Sequence, residues 1–186
     1  YGYGLNRYDI QTGKFSHYPH DPEIPGGLPE SSVQSVIEDQ AGNLWVSTYN
    51  WIALFDKQPA TVKKKYPAEN WPCSPLLDRT DPDILWYGTW GSGLLRFDTS
   101  DGDITYFTSS ADNPDETISA NLIINLYQDK TGMLFLLVRG NGMDRFDPAT
   151  GKVVAKYRHS PNDSNTVSSD TIYQMYEDSR DRYWVC

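Results

Sequence analysis

The sequence is poor in the residues from which disulfide frameworks and metal centres are built. Its 186 residues include two cysteines, Cys73 and Cys186, and three histidines. Two cysteines make neither a disulfide framework nor a metal cluster, so we expect two unpaired thiols. His17 and His20 lie close in sequence, but no third ligand has a matching spacing. We therefore expect no metal and no cofactor.

Basic clusters and long apolar runs are also scarce. The chain has 16 Lys and Arg against 25 Asp and Glu, and its net charge is −9. The one basic run, Lys63-Lys64-Lys65, is typical of a solvated outer strand, so no nucleic-acid binding is expected. No apolar run is long enough to span a membrane, and no signal peptide is recognisable. We expect no direct membrane contact.

A repeated hairpin pattern is present instead. In Leu85–Asp98, an apolar and aromatic run leads into a turn rich in glycine, and a return strand follows. The second half recurs at Gly4–Asp9, Ala53–Asp56 and Gly142–Asp147, and the first half recurs at Leu44–Thr48, Leu134–Val138 and Tyr183–Cys186.

The spacing of these copies predicts the fold class. The aspartates that end the pattern follow one another at 47, 42 and 49 residues, which is typical of propeller blades. We predict an all-β protein, a single β-propeller domain with blades of four antiparallel strands. Three whole blades are expected at 32–66, 74–108 and 120–157, and a fourth is split between 171–186 and 3–18. We interpret a chain that starts and stops within a repeat as part of a larger protein.

Several residues of the repeat have expected structural roles. Asp9, Asp56, Asp98 and Asp147 recur in register and are predicted to cap turns, because a catalytic site would need one such residue rather than four. Since a blade between two others is buried on both faces, Trp45, Trp86 and Trp184 are predicted to be core residues.

The pattern Leu-Trp-x-Gly-Thr-x-Gly-x-Gly-Leu-x-Arg-Phe-Asp at 85–98, with Glu-Asp-x-x-Gly-Asn at 38–43, resembles the two-component regulator propeller repeat. The resemblance implies the periplasmic sensor region of a hybrid histidine kinase, without catalytic activity, in bacteria that sense polysaccharides. Two departures are visible: Asn50-Trp51-Ile52 replaces the turn rich in glycine, and Asp181 stands where Gly42 stands in another copy.

The loops at one end of the blades are the expected binding face, because loops vary on a rigid scaffold. Their aromatic, amide and guanidinium groups suit an oligosaccharide. Two other interpretations stay open: these rings pack between loops, or the chain is structural and binds no ligand. A polysaccharide lyase or glycosidase of propeller type is a weaker alternative. The predicted ligand-binding residues are Tyr3, Tyr49, Asn50, Trp51, Trp90, Ser92, Arg139 and Asn141.

The split blade predicts self-association. Exposed strand edges at both ends of the chain invite pairing. One solution is a closed ring of four blades within one chain. The other is a homodimer in which Tyr183–Val185 of one chain pairs with Leu5–Tyr8 of the other. We expect the homodimer, because eight blades bend each blade interface less than four do.

Overall fold

The computed structural model describes residues 3–186, and every regular element in them is a β-strand. The prediction of an all-β protein is confirmed. Contacts divide the chain into two compact units, Tyr1–Pro72 (unit 1) and Cys73–Cys186 (unit 2). The strands are β1 (Leu5–Asp9), β2 (Lys14–Tyr18), β3 (Ser35–Glu38), β4 (Leu44–Ser47), β5 (Trp51–Asp56), β6 (Thr61–Pro67), β7 (Cys73–Leu77), β8 (Ile84–Gly88), β9 (Leu94–Asp98), β10 (Ile104–Phe107), β11 (Ile123–Gln128), β12 (Leu134–Val138), β13 (Met143–Asp147), β14 (Lys152–Tyr157), β15 (Met175–Glu177) and β16 (Tyr183–Val185).

Unit 1 consists of the antiparallel hairpin β1–β2 and the four-stranded antiparallel sheet β3–β6. Leu28, Val46 and Phe55 are buried at its centre. The ring of Tyr18, on β2, meets the ring of Phe55 edge to face at 5.4 Å. The hairpin therefore packs on the sheet through an aromatic contact.

Unit 2 consists of two four-stranded antiparallel sheets, β7–β10 and β11–β14, and the hairpin β15–β16. Every residue of β8 and of β12 is buried, as expected for strands covered on both faces. Trp86, Leu94, Leu136 and Phe146 belong to one core cluster that contains residues of both sheets. The sheets therefore pack face to face, and the absence of hydrophobic alternation in β8 has its explanation here.

The repeated aspartates end strands and fix the turns that follow. The Oδ1 atoms of Asp56, Asp98 and Asp147 each accept a hydrogen bond from the backbone N–H two residues further on, at 2.9, 3.1 and 2.9 Å. The Oδ1 of Asp9 accepts from the N–H groups of Gln11 and Thr12, two and three residues further on. The predicted role as turn caps is confirmed.

The turn between β4 and β5 differs from its equivalents, as the sequence predicts. Gly93 has φ +80°, and a Cβ there would collide with the carbonyl oxygen of Phe107. Trp51 stands at the position of Gly93, so the turn cannot keep the same path. The Thr48 N–H bonds to the Trp51 carbonyl at 2.8 Å, whereas the Thr89 N–H reaches one residue further, to Gly93, at 3.1 Å.

The second departure leaves the backbone unchanged. Asp181 has φ 57°, in the left-handed region that Gly42 occupies with φ 82°. The Asp181 N–H donates to the Asp178 carbonyl at 3.2 Å, and the Gly42 N–H donates to the Asp39 carbonyl at 3.0 Å. Aspartate tolerates this conformation better than most residues do, so both turns have the same form.

Two of the three predicted core tryptophans are buried. Trp45 and Trp86 are 2% and 1% exposed, but Trp184 is 58% exposed, so its predicted burial is wrong for the single chain. Trp184 lies on β16, whose hydrogen-bonded neighbour in the described residues is β15 alone. A hairpin of two strands does not supply the second covering face that β8 has.

Candidate functional site

Two equivalent loops of unit 2 carry four of the predicted site residues. Trp90 and Ser92 lie in the loop between β8 and β9, and Arg139 and Asn141 lie in the loop between β12 and β13. Each loop closes with a hydrogen bond that spans four residues, at 3.1 Å for the first and 3.0 Å for the second. The repeat therefore presents the two pairs of side chains from the same structural position.

The backbone of Leu122, just before β11, contacts both loops. Trp90 forms an isolated antiparallel bridge with Leu122, and the Arg139 N–H donates to the Leu122 carbonyl at 3.1 Å. The Arg139 Cζ lies 5.7 Å from the centre of the Trp90 ring, a cation–π distance. Trp90 is 45% exposed. The structure thus brings an accessible indole face and a guanidinium together.

Backbone hydrogen bonds fix the remaining two residues of this group. The Ser92 N–H donates to the Thr89 hydroxyl at 2.9 Å, and the Asn141 N–H donates to the Val138 carbonyl at 2.9 Å. Asn141 also lines a polar cavity of about 420 Å³. The other lining residues are Ser109, Ser110, Ala111, Pro114, Ile118, Ser119, Lys156 and Arg158.

The two cations of this cavity were not among the predicted site residues. Arg158 donates to the buried Asp144 carboxylate at 2.6 Å and to the Met143 carbonyl at 3.0 Å. Lys156 donates to the Pro114 carbonyl. In the sequence, both residues stand where a strand ends and a connection begins, and no motif at these positions indicates a binding site. Because both cations already have partners, they shape the cavity wall.

The predicted residues of unit 1 form a separate group. The Tyr49 ring meets the Trp71 ring at 5.1 Å, and the Lys65 Nζ lies 4.8 Å from the Trp51 ring centre. Tyr3 is 87% exposed. Packing of Tyr49 and Trp51 against neighbours of their own unit agrees with the alternative interpretation of these rings.

Asn50 binds a carboxylate of its own unit. Its backbone N–H and its Nδ2 donate to the two oxygens of Glu30 at 3.0 and 2.9 Å. Burial raises the pKa of Glu30, but the hydrogen bonds from Asn50 and its neighbours outweigh burial and hold that pKa below its ordinary value. Asn50 therefore stabilises a loop.

The histidines and cysteines are dispersed. The Nδ1 atoms of His20 and His159 lie 2.6 and 2.9 Å from the carbonyl oxygens of Leu28 and Val167. Burial raises the pKa of the Cys73 thiol, which disfavours a reactive thiolate. Between residues 3 and 186, no group of three or more His, Cys, Asp or Glu side chains could hold a metal ion. The same residues contain no helix long and apolar enough to cross a bilayer.

Comparison with known proteins relates the repeat to signalling proteins. The family model described as two component regulator propeller matches residues 27–50, which span the connection before β3, strands β3 and β4 and the start of the next loop. No curated protein matches the sequence.

Solved structures resemble the chain over nearly its whole length. The extracellular domain of a hybrid two component system from B. thetaiotaomicron has a TM-score of 0.76 at 22% identity, over 98% of this chain and 23% of that one. A second such domain from this organism scores 0.56 at 18% identity, over 99% and 29% of the two chains. PorZ, a surface component of the type-IX secretion system of Porphyromonas gingivalis, scores 0.64 at 15% identity, over 95% and 27%.

The chain thus spans less than a third of the length of these proteins. At such identities the likeness concerns the fold. Residues 27–50 carry a two-component regulator propeller repeat, and the chain has the fold found in extracellular domains of hybrid two component systems.

Proposed function

We propose that this chain is a non-catalytic module of a two-component sensor that binds an extracellular ligand, an oligosaccharide, in the periplasm. Two observations support a sensor role: the repeat matched at residues 27–50, and the likeness in fold to extracellular domains of hybrid two component systems. The ligand class rests on the chemistry of unit 2.

The observation that carries the ligand class is the contact between Trp90 and Arg139. An indole face stacks on the apolar face of a sugar ring, and a guanidinium donates to hydroxyl or carboxylate oxygens in a fixed geometry. Here both groups come from loops that neighbouring backbone fixes, so little order is lost on binding. The polar cavity that begins at Asn141 offers further donors and acceptors beside them.

Titration of neutral and acidic oligosaccharides into the chain, followed by calorimetry and by the shift in Tm, tests this function. For a bound sugar, Trp90→Ala and Arg139→Ala should each weaken affinity at least about tenfold, a loss of about 1.4 kcal/mol. Arg79→Ala is the matched control, because Arg79 forms a similar pair with Tyr127, at 6.0 Å, outside this site.

Unchanged affinity in a folded double variant would remove both residues from the site. A complete panel that leaves Tm unmoved would instead favour a structural chain with no ligand of its own.

A further inference from the structure

The polar cavity of unit 2 is distinguished by the sign of its charge. Among the described residues that line its volume of about 420 Å³, Lys156 and Arg158 are charged, and none is an aspartate or a glutamate. The whole chain has a net charge of −9. A wall that carries cations alone is therefore a local departure from the acidic character of the chain, and it attracts anions.

A buried carboxylate behind this wall is a departure from the repeat. By strand register, Asp144 stands where the other two four-stranded sheets have Leu95 and Ala53. All three positions are 0% exposed. A buried ion pair pays for desolvation that an apolar residue avoids, so it is weak as a general stabiliser of the fold. Its occurrence in one sheet points to a local role at the cavity.

That local role is to position the cavity wall. The Asp144 carboxylate accepts from the backbone N–H and the hydroxyl of Ser119, both at 2.7 Å, and from Arg158 at 2.6 Å. The terminal nitrogens of Arg158 also donate to Ser119 and to the carbonyls of Met143 and Tyr157. One carboxylate thus ties the connection before β11 to the end of β14, and it compensates the charge of Arg158.

Lys156 is the cation of the wall that keeps donors for a ligand. Its Nζ donates to the Pro114 carbonyl at 2.5 Å. An ammonium group has three N–H donors, so two remain. Because the Pro114 carbonyl is neutral, this bond fixes the ammonium in place without compensating its charge. The cavity therefore presents one half-buried, oriented ammonium group.

The carboxylates of the neighbouring connection leave this charge in place. Asp112 and Asp115 are exposed and do not line the cavity, so water weakens their effect on it. Glu116 forms an ion pair with Lys152 at 2.7 Å.

Backbone contacts connect the cavity to the aromatic part of the site. The Asn121 carbonyl accepts from the N–H of Gly93, in the loop of Trp90, at 2.9 Å. The side-chain oxygen of Asn121 accepts from the N–H of Ser109, a lining residue, at 2.7 Å. A sugar ring stacked on Trp90 would therefore have the cavity as its neighbour.

We propose that this cavity binds an anionic substituent of the ligand, a carboxylate or a sulfate group on a sugar, through the ammonium of Lys156. The inference rests on the proposed function and narrows its ligand class to acidic oligosaccharides. Hydrogen bonds between an ammonium and an anionic oxygen are stronger than those between neutral groups. Ser109, Ser110 and Asn141 add hydroxyl and amide donors from the lining.

Calorimetric titration with matched pairs of sugars tests the charge. One pair is an oligogalacturonate and its neutral methyl ester; the other is a carrageenan oligosaccharide, charged by sulfate alone, and its desulfated form. In at least one pair the charged member should bind at least about tenfold more tightly, and the pair identifies the anion. Affinity confined to neutral sugars, or equal within both pairs, overturns this inference and leaves the proposed function. If no neutral or acidic oligosaccharide binds, both fail.

A lysine variant tests the residue. Lys156→Met should weaken binding of the charged sugar at least about tenfold, reduce the dependence of its affinity on salt, and leave the neutral counterpart unaffected. Lys156→Arg keeps the charge and should keep the preference. Lys152→Met is the matched control, because Lys152 lies on the same strand and is paired with Glu116 outside the cavity wall. Unchanged affinity in Lys156→Met, or an equal loss in the control, overturns the proposal.

Discussion

At the scale of single residues, one aspartate in each repeat fixes the first turn. Asp39 accepts from the N–H groups of Ala41 and Asn43 through Oδ1 and from the indole of Trp45 through Oδ2. In the sheet β11–β14, Phe135 replaces the tryptophan, and Asp129 accepts from Arg145 and from Tyr183 instead. The carboxylate is thus retained although its partner changes.

This arrangement predicts the acid sensitivity of the fold. Burial raises the pKa of Asp78, but hydrogen bonds from Thr80 and Trp86 and from the backbone outweigh it, so the pKa lies below its ordinary value of 3.8. The same holds for Asp39 and Asp129. A lowered carboxyl pKa contributes stability that is fully present above the unfolded pKa and is lost as the pH falls through the folded pKa.

The free energy of unfolding, measured by denaturant titration, should therefore decline as the pH falls below 3.8. Each such carboxyl contributes a slope of at most about 1.4 kcal/mol per pH unit. Asp78→Asn should reduce the slope. An identical slope in this variant would exclude Asp78 as a source of the acid sensitivity.

At the scale of elements, the repeat made the strands predictable. Strands β1, β9 and β13 end at Asp9, Asp98 and Asp147, where the repeated pattern ends, because turn residues follow each aspartate. Strand β7 begins at Cys73, one residue before the predicted start of its blade at 74. A bulge before Leu76 and the positive φ of Ser74 extend it to Cys73, and no local pattern signals a bulge at Ser74-Pro75.

Trp86→Ala tests how the sheets of unit 2 are held together. Its indole is 1% exposed and packs against the rings of Phe107 and Phe146, so the variant should lose about 3–5 kcal/mol of unfolding free energy. The matched control is Trp184→Ala, which loses the same kind of bond to an aspartate but little burial.

The control should lose less than about 1 kcal/mol. Equal losses in the two variants would mean that the hydrogen bond, and not the burial, carries the stability.

At the scale of the whole molecule, sequence reasoning placed eight site residues on one face, and the structure describes them as two groups in two units. The contact between Trp90 and Arg139 joins two equivalent loops. The repeat places these loops at the same position of neighbouring blades, so the sequence alone predicted that they belong together. Lys156 and Arg158 escaped prediction because they reach the cavity through tertiary contacts, such as the bond of Arg158 to Asp144, and such contacts leave no periodic signal.

Stability should be distributed unevenly along the chain, because repeats depend mostly on their neighbours. Strands β8 and β12 are wholly buried and are each bonded to a strand on both sides, whereas within residues 3–186 the strands of the hairpins β1–β2 and β15–β16 are bonded only to each other. Opening frees a buried interior strand only when its sheet unfolds, but an edge strand opens locally. Hydrogen exchange followed by mass spectrometry should therefore find the slowest amides in Ile84–Gly88 and Leu134–Val138 and the fastest strand amides in the two hairpins, β1–β2 and β15–β16. Equal protection of β2 and β12 would mean that the chain opens as one cooperative body.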